Sequence, residues 1–300
     1  IGLGFGGAIT VAGEVENSNI VGEFTNNGGA DAGGAISVLG VVKNSFILGS
    51  FEFNHARVGG SLFLPVVKNS TIAGDFASNY AVQGGAIFAV FANQTNISGN
   101  FISNDALNDV DLIGADLLAW GGAICIDGVL ENSKINGTFV KNRATELGGA
   151  IGGVDVVINS NITGYFIKNR AKIGGAMDLP FLQYSNIDGF FVNNTAAIGG
   201  AISACYANTS QINAHFINNT VVNYQMGDEV IPDMIEYNDH ALPVGLGGAI
   251  CIVGAAENSM FTGDYVLNSA LAGGAIFAFL CGVWIWVFPE TKGTVLNELD

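Results

Sequence analysis

A short glycine-containing tetrad recurs ten times along this 300-residue chain and limits its fold more than any other feature. The tetrad reads Gly-Gly-Ala-Ile or a close variant, and successive copies are 25 to 27 residues apart except for two gaps of 37 and 48 residues. Its copies begin at Gly6, Gly33, Gly59, Gly84, Gly121, Gly148, Gly174, Gly199, Gly247 and Gly273. A unit of about 26 residues is too short to bury its own apolar side, so neighbouring units must stack into a continuous core.

A second motif, Asn-Ser-x-Ile-x-Gly-x-Phe-x-x-Asn, alternates with the tetrad and can be aligned in nine copies. The aromatic residues of these copies are Phe24, Phe51, Phe76, Phe101, Phe139, Phe166, Phe191, Phe216 and Tyr265. The Asn three positions after each aromatic is Asn27, Asn54, Asn79, Asn104, Asn142, Asn169, Asn194, Asn219 or Asn268. Equivalent residues of stacked units lie above one another, so we expect an internal ladder of aromatic rings and a ladder of paired Asn amides at a turn.

The segments between these glycines and asparagines are short and rich in β-branched and aromatic residues, which is typical of strands. Two-helix repeats need about 33 or more residues per unit. Three short strands and three turns fit the observed unit, and a Gly-Gly pair suits a corner that needs positive φ or close backbone approach. We therefore predict an all-β fold, a right-handed parallel β-helix (solenoid) of about ten rungs covering residues 1–277. Residues 278–300 are predicted to form a divergent apolar tail.

The unit spacings of 27, 26, 25 and one long gap occur twice in the same order, so the sequence is built from four-rung blocks that start near residues 6, 121 and 247. Both long gaps fall between an Asn turn and the next Gly-Gly pair. One begins at Asp105 and ends at Trp120, and the other begins at Val221 and ends at Leu246. We expect two corner-loop insertions that leave the same corner four rungs apart, about 19 Å at the usual strand spacing.

Both insertions are acidic, in a chain whose 26 acidic and 10 basic residues give a formal net charge of −16. This charge excludes nucleic-acid binding by bulk electrostatics. Loops on a rigid scaffold often carry function, so we treat the charged residues of the insertions as candidate binding residues. They are Asp105, Asp109, Asp111 and Asp116 in the first insertion and Asp228, Glu229, Asp233, Glu236, Asp239 and His240 in the second. Ca²⁺ is an alternative at these loops, but neither has EF-hand spacing, so we predict solvated loops without a metal or other cofactor.

The pairing of Gly-Gly-Ala-Ile with Phe-x-x-Asn over residues 6–277 resembles the passenger repeats of the polymorphic outer membrane proteins. These are autotransporter-secreted surface adhesins of obligate intracellular bacteria, with β-helical passengers. The resemblance implies an extracellular or cell-surface location, an adhesive function, and a piece of a longer protein.

The C-terminal segment departs from the repeat. An uncharged apolar run begins at Leu271 and ends at Phe288, and the sequence Pro-Glu-Thr-Lys-Gly that begins at Pro289 is similar to the end of the last membrane helix of sugar-porter transporters. The run lies at the lower length limit for a membrane span. A cap or interface segment is the first interpretation, and a membrane anchor and a chance or fused sequence are the alternatives.

The sequence indicates no catalytic residues. Cys125, Cys205, Cys251 and Cys281 lack metal-ligand spacing and are expected as buried apolar residues, and the histidines accompany no nucleophile motif. Basic residues are expected to cluster where Arg143 and Arg170 follow the Asn turn, with Lys141 and Lys168 beside them, as a charged outer face or a site for an acidic sugar.

We therefore predict a non-enzymatic structural or adhesive surface protein, a stalk or filament segment that presents its loops. Its predicted partners are a protein or glycan on another surface, or a second rod bound end to end. Two alternatives stay open: a carbohydrate-active β-helix enzyme, which needs at least three carboxylates and a base in one groove, and a membrane-tethered accessory subunit of a larger complex.

Overall fold

The computed structural model describes residues 4–29, 31–108, 118–222 and 245–278, together with the backbone of four short strands between residues 225 and 243. Throughout this part of the chain the regular structure is strand, and no helix is present. Most strands are parallel and are stacked one repeat apart.

In chain order the strands begin with β1 (Ile9–Val11), β2 (Val15–Glu16), β3 (Asn19–Thr25), β4 (Ile36–Val38), β5 (Val41–Lys43), β6 (Phe46–Glu52), β7 (Leu62–Phe63), β8 (Val66–Lys68), β9 (Thr71–Ala77), β10 (Tyr80–Ala81), β11 (Ile87–Asn93), β12 (Asn96–Ile102), β13 (Asp105–Ala106), β14 (Ile124–Glu131), β15 (Lys134–Val140), β16 (Arg143–Ala144) and β17 (Ile151–Ile158). They continue with β18 (Asn161–Ile167), β19 (Met177–Asp178), β20 (Phe181–Gln183), β21 (Asn186–Val192), β22 (Thr195–Ala196), β23 (Ile202–Asn208), β24 (Gln211–Ile217), β25 (Thr220–Val221), β26 (Gln225–Met226), β27 (Glu229–Val230), β28 (Met234–Tyr237), β29 (His240–Pro243), β30 (Ile250–Glu257), β31 (Met260–Thr262), β32 (Tyr265–Val266) and β33 (Ile276–Ala278).

The strands that follow the Gly-Gly corners form one parallel sheet, which we call the GGAI sheet. In some turns this side is one long strand, as in β11, β14, β17, β23 and β30, and in others it is split into two short strands, as in β4 and β5. The Ile of the tetrad pairs in register with its equivalent in the next turn, as Ile87 does with Ile124. These side chains are buried and form one wall of the core.

The strands of the second motif form another parallel sheet, the FxxN sheet, which runs β3, β6, β9, β12, β15, β18, β21, β24 and then β31 with β32. Ile97 pairs with Ile135 and Phe101 with Phe139, so every motif position lies above its equivalent. Alternate residues point inward and outward, because successive side chains of a strand face opposite sides. The isoleucine and the aromatic ring of each copy therefore enter the core together.

The third side of the solenoid has only two-residue strands and isolated bridges, such as β10, β13 and β16. The chain makes about nine turns, and β33 begins a further turn by pairing with β30. The predicted all-β solenoid is confirmed, while its right-handed sense stays a prediction.

A ladder of aromatic rings fills the interior beneath the FxxN sheet. From Phe24 to Tyr265, successive ring centroids are 4.7 to 5.1 Å apart and their planes lie within 17° of parallel. The phenylalanines from Phe51 to Phe216 are fully buried. The predicted ladder is confirmed, and its dispersion contacts join each turn to both neighbours.

The Asn ladder uses all the polar atoms of each internal side chain, as Asn142 illustrates. Its Nδ2 donates to Asn169 Oδ1 at 3.0 Å and to the Phe101 carbonyl oxygen at 2.9 Å, and its backbone N–H also donates to Asn169 Oδ1. Its own Oδ1 accepts from the backbone N–H and the Nδ2 of Asn104, each at 3.0 Å. Because these groups are buried, the bonds are stronger than in water, and a missing partner would be costly.

A second polar ladder, which the sequence analysis did not predict, lies at the corner where the Asn-Ser pair turns the chain. The backbone N–H of Ser160 donates to Ser185 Oγ at 3.0 Å, and Ser160 Oγ donates to the Ile158 carbonyl at 2.8 Å. Ser133 makes the equivalent bond to Ser160. A buried hydroxyl in each turn therefore satisfies the backbone of the turn before it.

Each of the three corners contains one residue in the left-handed region. In one turn these residues are Asn159, Lys168 and Gly174, with φ of 47°, 56° and 64°. The glycine after Gly174 is required for a different reason, since a Cβ on Gly175 would collide with the carbonyl oxygen of Gly200 in the next turn. The predicted role of the Gly-Gly corner is confirmed, because its first glycine has a positive φ and its second allows close backbone approach.

We expect Asn142→Ala to lower the free energy of unfolding by about 2 to 4 kcal/mol, because it leaves buried groups of Asn104, Asn169 and Phe101 without partners. Urea denaturation measures this change. Asn100→Ala is the matched control, since Asn100 lies on the exposed side of β12 and bonds only to Asp75 there, and we expect a loss below about 0.5 kcal/mol. Equal losses in the two variants would contradict the ladder's role.

We expect Gly164→Ala to lower the thermal unfolding midpoint sharply. Gly164 has φ of 142°, and an added Cβ would collide with the carbonyl oxygen of Gly137. Gly13→Ala is the control, because a Cβ at Gly13 would meet no atom within 4 Å. Differential scanning calorimetry compares both variants with the wild type, and a Gly164→Ala midpoint no lower than that of Gly13→Ala would refute the argument.

Candidate functional site

The two insertions leave the same corner of the solenoid. Trp120, at the end of the first, is bridged to Leu147, and bridges continue through Ile173 and Ile198 to Leu246 at the end of the second. Four steps therefore separate the insertions, which confirms their predicted placement and corresponds to about 19 Å at the usual strand spacing.

The second insertion contains two antiparallel hairpins, formed by β26 with β27 and by β28 with β29. Glu229, Glu236 and His240 lie on these strands, and only their backbone is described. The other predicted loop residues, apart from Asp105, lie outside the described part of the chain: Asp109, Asp111, Asp116, Asp228, Asp233 and Asp239. Among the side chains that are described, no group of three His, Cys, Asp or Glu residues could hold a metal ion. Loops without a metal stay a prediction, with Ca²⁺ as the alternative.

Asp105 belongs to the wall of the solenoid rather than to a loop. It lies in β13, paired in register with Arg143 of the next turn, and its Oδ2 accepts a hydrogen bond from Arg143 Nη2 at 2.9 Å. Burial raises the pKa of Asp105, and the hydrogen bond and charge of Arg143 oppose this increase. Asp105 is therefore part of an ion pair that joins two turns.

The predicted basic cluster forms on the third side. Arg143 is bridged to Arg170, so the two arginines are neighbours in the stack, and Lys141 and Lys168 occupy equivalent corner positions one turn apart. Arg143 is paired with Asp105, and nearby Lys172 bonds to Glu146 at 3.0 Å. Salt bridges between turns thus pair Arg143 of the cluster and the nearby Lys172 with carboxylates, as expected of a charged outer face.

The cysteines of the described residues behave as apolar core residues. Cys125 and Cys251 hold the same position of the repeat, four turns apart, and both are buried. Burial raises the pKa of the Cys125 thiol and raises that of Cys251 to about 12. A protonated, buried thiol is a poor nucleophile and a poor metal ligand. Cys205 is also buried, and Cys281 lies outside the described residues.

The apolar run that begins at Leu271 starts within the last described turn of the repeat. The last tetrad, from Gly273 to Ile276, turns the chain into β33, where Ile276 pairs in register with Ile250. Residues 279–300 lie outside the described part of the chain. Among the residues that are described, no helix is long and apolar enough to cross a membrane.

A row of exposed aromatic rings runs along the outer side of the FxxN sheet. Tyr165, Phe190 and His215 occupy the same position in three successive turns, with ring centroids 5.2 and 4.6 Å apart and planes within 16° of parallel. Asp264 of the next turn contacts His215, with Nδ1 and Oδ2 2.7 Å apart. We call these three rings the aromatic row. The sequence pattern did not reveal this row, because its members fall at a variable position of the motif.

Beside the aromatic row, the same sheet carries a shallow polar slot of about 420 Å³. It is lined by side chains from β12, β15, β18 and β21, and we call it the amide slot because four of them are asparagines. The lining residues are Asn96, Lys134, Asn136, Asn161, Thr163, Asn186 and Asp188. Asn186 Nδ2 donates to Asn161 Oδ1 at 3.1 Å. The amide slot holds one carboxylate and one amine, so its formal charge is balanced.

Comparison with known proteins assigns no family to the chain. No family model matches it, and no curated protein or solved structure is significantly similar. Its function must therefore be inferred from its own residues.

The Asp105 pair predicts a pH dependence of stability. Because burial raises the native pKa of Asp105 above its ordinary value, the native state holds this proton more tightly than the unfolded state does. Its contribution to stability therefore falls as pH rises from the unfolded pKa through the native pKa. Asp105→Asn has no proton to lose. In urea denaturation we expect the unfolding free energy of the variant, relative to wild type, to increase as pH rises from about 4, the ordinary pKa of aspartate, through the raised native pKa of Asp105. A difference in unfolding free energy that does not change with pH would contradict the raised pKa of Asp105.

Proposed function

We propose that this chain is a non-enzymatic structural and adhesive protein of the cell surface or extracellular space, a stiff rod that holds its corner insertions apart for contact with a partner. The observation that carries the proposal is the uninterrupted Asn ladder from Asn27 to Asn268, which passes through every full turn.

A rod of this kind suits a scaffold because each turn is joined to the next by the aromatic ladder, the Asn ladder and two sheets. Each turn depends mainly on its neighbours, so long arrays can be built from one unit. Insertions at one corner then project from a rigid support, and exposed loops of this type are common contact surfaces.

The resemblance of the Gly-Gly-Ala-Ile and Phe-x-x-Asn repeats to adhesin passengers supports the same proposal. The enzyme alternative needs three carboxylates and a base in one groove, whereas the described lining of the amide slot has Asp188 as its single carboxylate and Lys134 as its single amine. No specific observation favours the enzyme, so we do not propose it.

Removal of each insertion tests the proposal. Deletion of residues 107–118 or of residues 222–244 gives that turn the length of its neighbours. Beads coated with the full chain should be retained on cultured epithelial cells, and we expect one or both deletions to reduce retention at least about fivefold. Retention under flow, counted by microscopy, is the measurement.

Each deletion serves as the control for the other, and both proteins must keep the β circular dichroism and thermal midpoint of the wild type. Wild-type beads retained no better than albumin-coated beads would refute the adhesive function. Retention that survives both deletions would refute the role of the loops.

A further inference from the structure

The aromatic row and the amide slot form one continuous outward surface. In β18, Asn161, Thr163 and Tyr165 alternate with Ile162 and Phe166, which are buried. The equivalent outward residues of β21 are Asn186, Asp188 and Phe190, each paired in register with its counterpart. Strand alternation therefore places amides, a hydroxyl, a carboxylate and aromatic rings side by side across two turns.

The rings are available to a ligand. Tyr165 is 51% exposed and Phe190 is 37% exposed, so much of each ring faces solvent. Stacking joins the three rings to one another, but it leaves their outer edges uncovered. Clustered exposed aromatic residues mark binding surfaces, because their exposed apolar surface gains from being covered.

The amide slot supplies the polar half of the site. An asparagine side chain both donates and accepts hydrogen bonds, as a sugar hydroxyl does, so adjacent amides match adjacent hydroxyl groups. Lys134 and Asp188 balance in charge, while the chain as a whole carries a formal charge of −16, which disfavours an anionic ligand. The surface is thus suited to a neutral polyhydroxyl compound with an apolar face.

We propose that the aromatic row and the amide slot bind a neutral glycan. The apolar C–H groups of the sugars cover the exposed outer edges of the stacked Tyr165 and Phe190 rings. The sugar hydroxyl groups bond to Asn161, Asn186 and Asn136. This site goes beyond the adhesive function proposed above, because it lies on the face of the FxxN sheet rather than at the corner insertions.

Other occupants fit less well. An extended peptide cannot add to β18 or β21 as a strand, because both are interior strands whose two edges are already paired. A lipid surface needs a broad apolar face, whereas each of the four strands at the slot contributes an asparagine to its lining. The row of rings beside balanced amides leaves a neutral sugar as the best match.

The test is isothermal titration calorimetry of the full chain with neutral tetrasaccharides of glucose and of N-acetylglucosamine. Asn136 and Asn161 begin Asn-x-Thr triplets, so the protein is produced in a host without N-glycosylation. We expect wild-type binding to at least one tetrasaccharide. Tyr165→Ala and Phe190→Ala should each weaken it at least about fivefold, and Asn161→Ala together with Asn186→Ala at least about tenfold.

The matched control is Phe181→Ala. Phe181 is an exposed aromatic residue of the GGAI sheet whose ring lies 6.4 Å from that of Tyr206 at a 50° tilt, away from the amide slot. We expect the tetrasaccharide affinity of Phe181→Ala to stay within about twofold of the wild-type affinity. Thermal unfolding of every variant checks that the fold is kept.

The two proposals fail in different ways. A wild-type chain that binds none of the tetrasaccharides, or variants of the row and slot that bind as the Phe181→Ala control does, would overturn the glycan site and leave cell adhesion standing. Tetrasaccharide binding by a chain that shows no retention on cells would support the site and refute the adhesive function. The two loop deletions should keep full tetrasaccharide binding, and its loss in both of them would overturn the site.

Discussion

The buried Asn ladder is the constraint on which the rest of the structure depends. Each internal Asn is bonded to the turn before it and to the turn after it, and all its side-chain polar atoms have partners, as at Asn142. A slip of one residue between turns would leave buried amides without partners and would turn an aromatic ring such as Phe139 toward solvent. Few alternative registers can therefore compete with the native one.

The residues on the outer surface follow the same register between turns. Because equivalent residues are always stacked, any side chain at a variable outward position lies directly beside the same position of the next turn. Asp105 and Arg143 become an ion pair in this way, and Tyr165, Phe190 and His215 become a row of rings. The repeat thus supplies an ordered surface whose chemistry can vary from turn to turn without a change in the core.

The rod has two kinds of surface for contact with partners. The insertions leave the solenoid at one corner, four turns apart, whereas the aromatic row and the amide slot lie on the face of the FxxN sheet. A surface built on interior strands is held in place by the ladders beneath it. The proposed glycan site uses the rigid kind of surface, and the proposed cell contact uses the loops.

The sequence by itself determined the repeat, the strands, the inward Phe and Asn positions, the Gly-Gly corners and the placement of the insertions, because all of these depend on a period that recurs in every unit. Ser160 and its equivalents were visible in the motif, but their bonding to the next turn was not. Only the tertiary structure decided that Asp105 pairs with Arg143 and that Asn161, Asn186, Tyr165 and Phe190 share one surface. These residues lie at positions whose identity changes between units, and their contacts join residues 25 or more apart in the chain, so stacking alone brings them together.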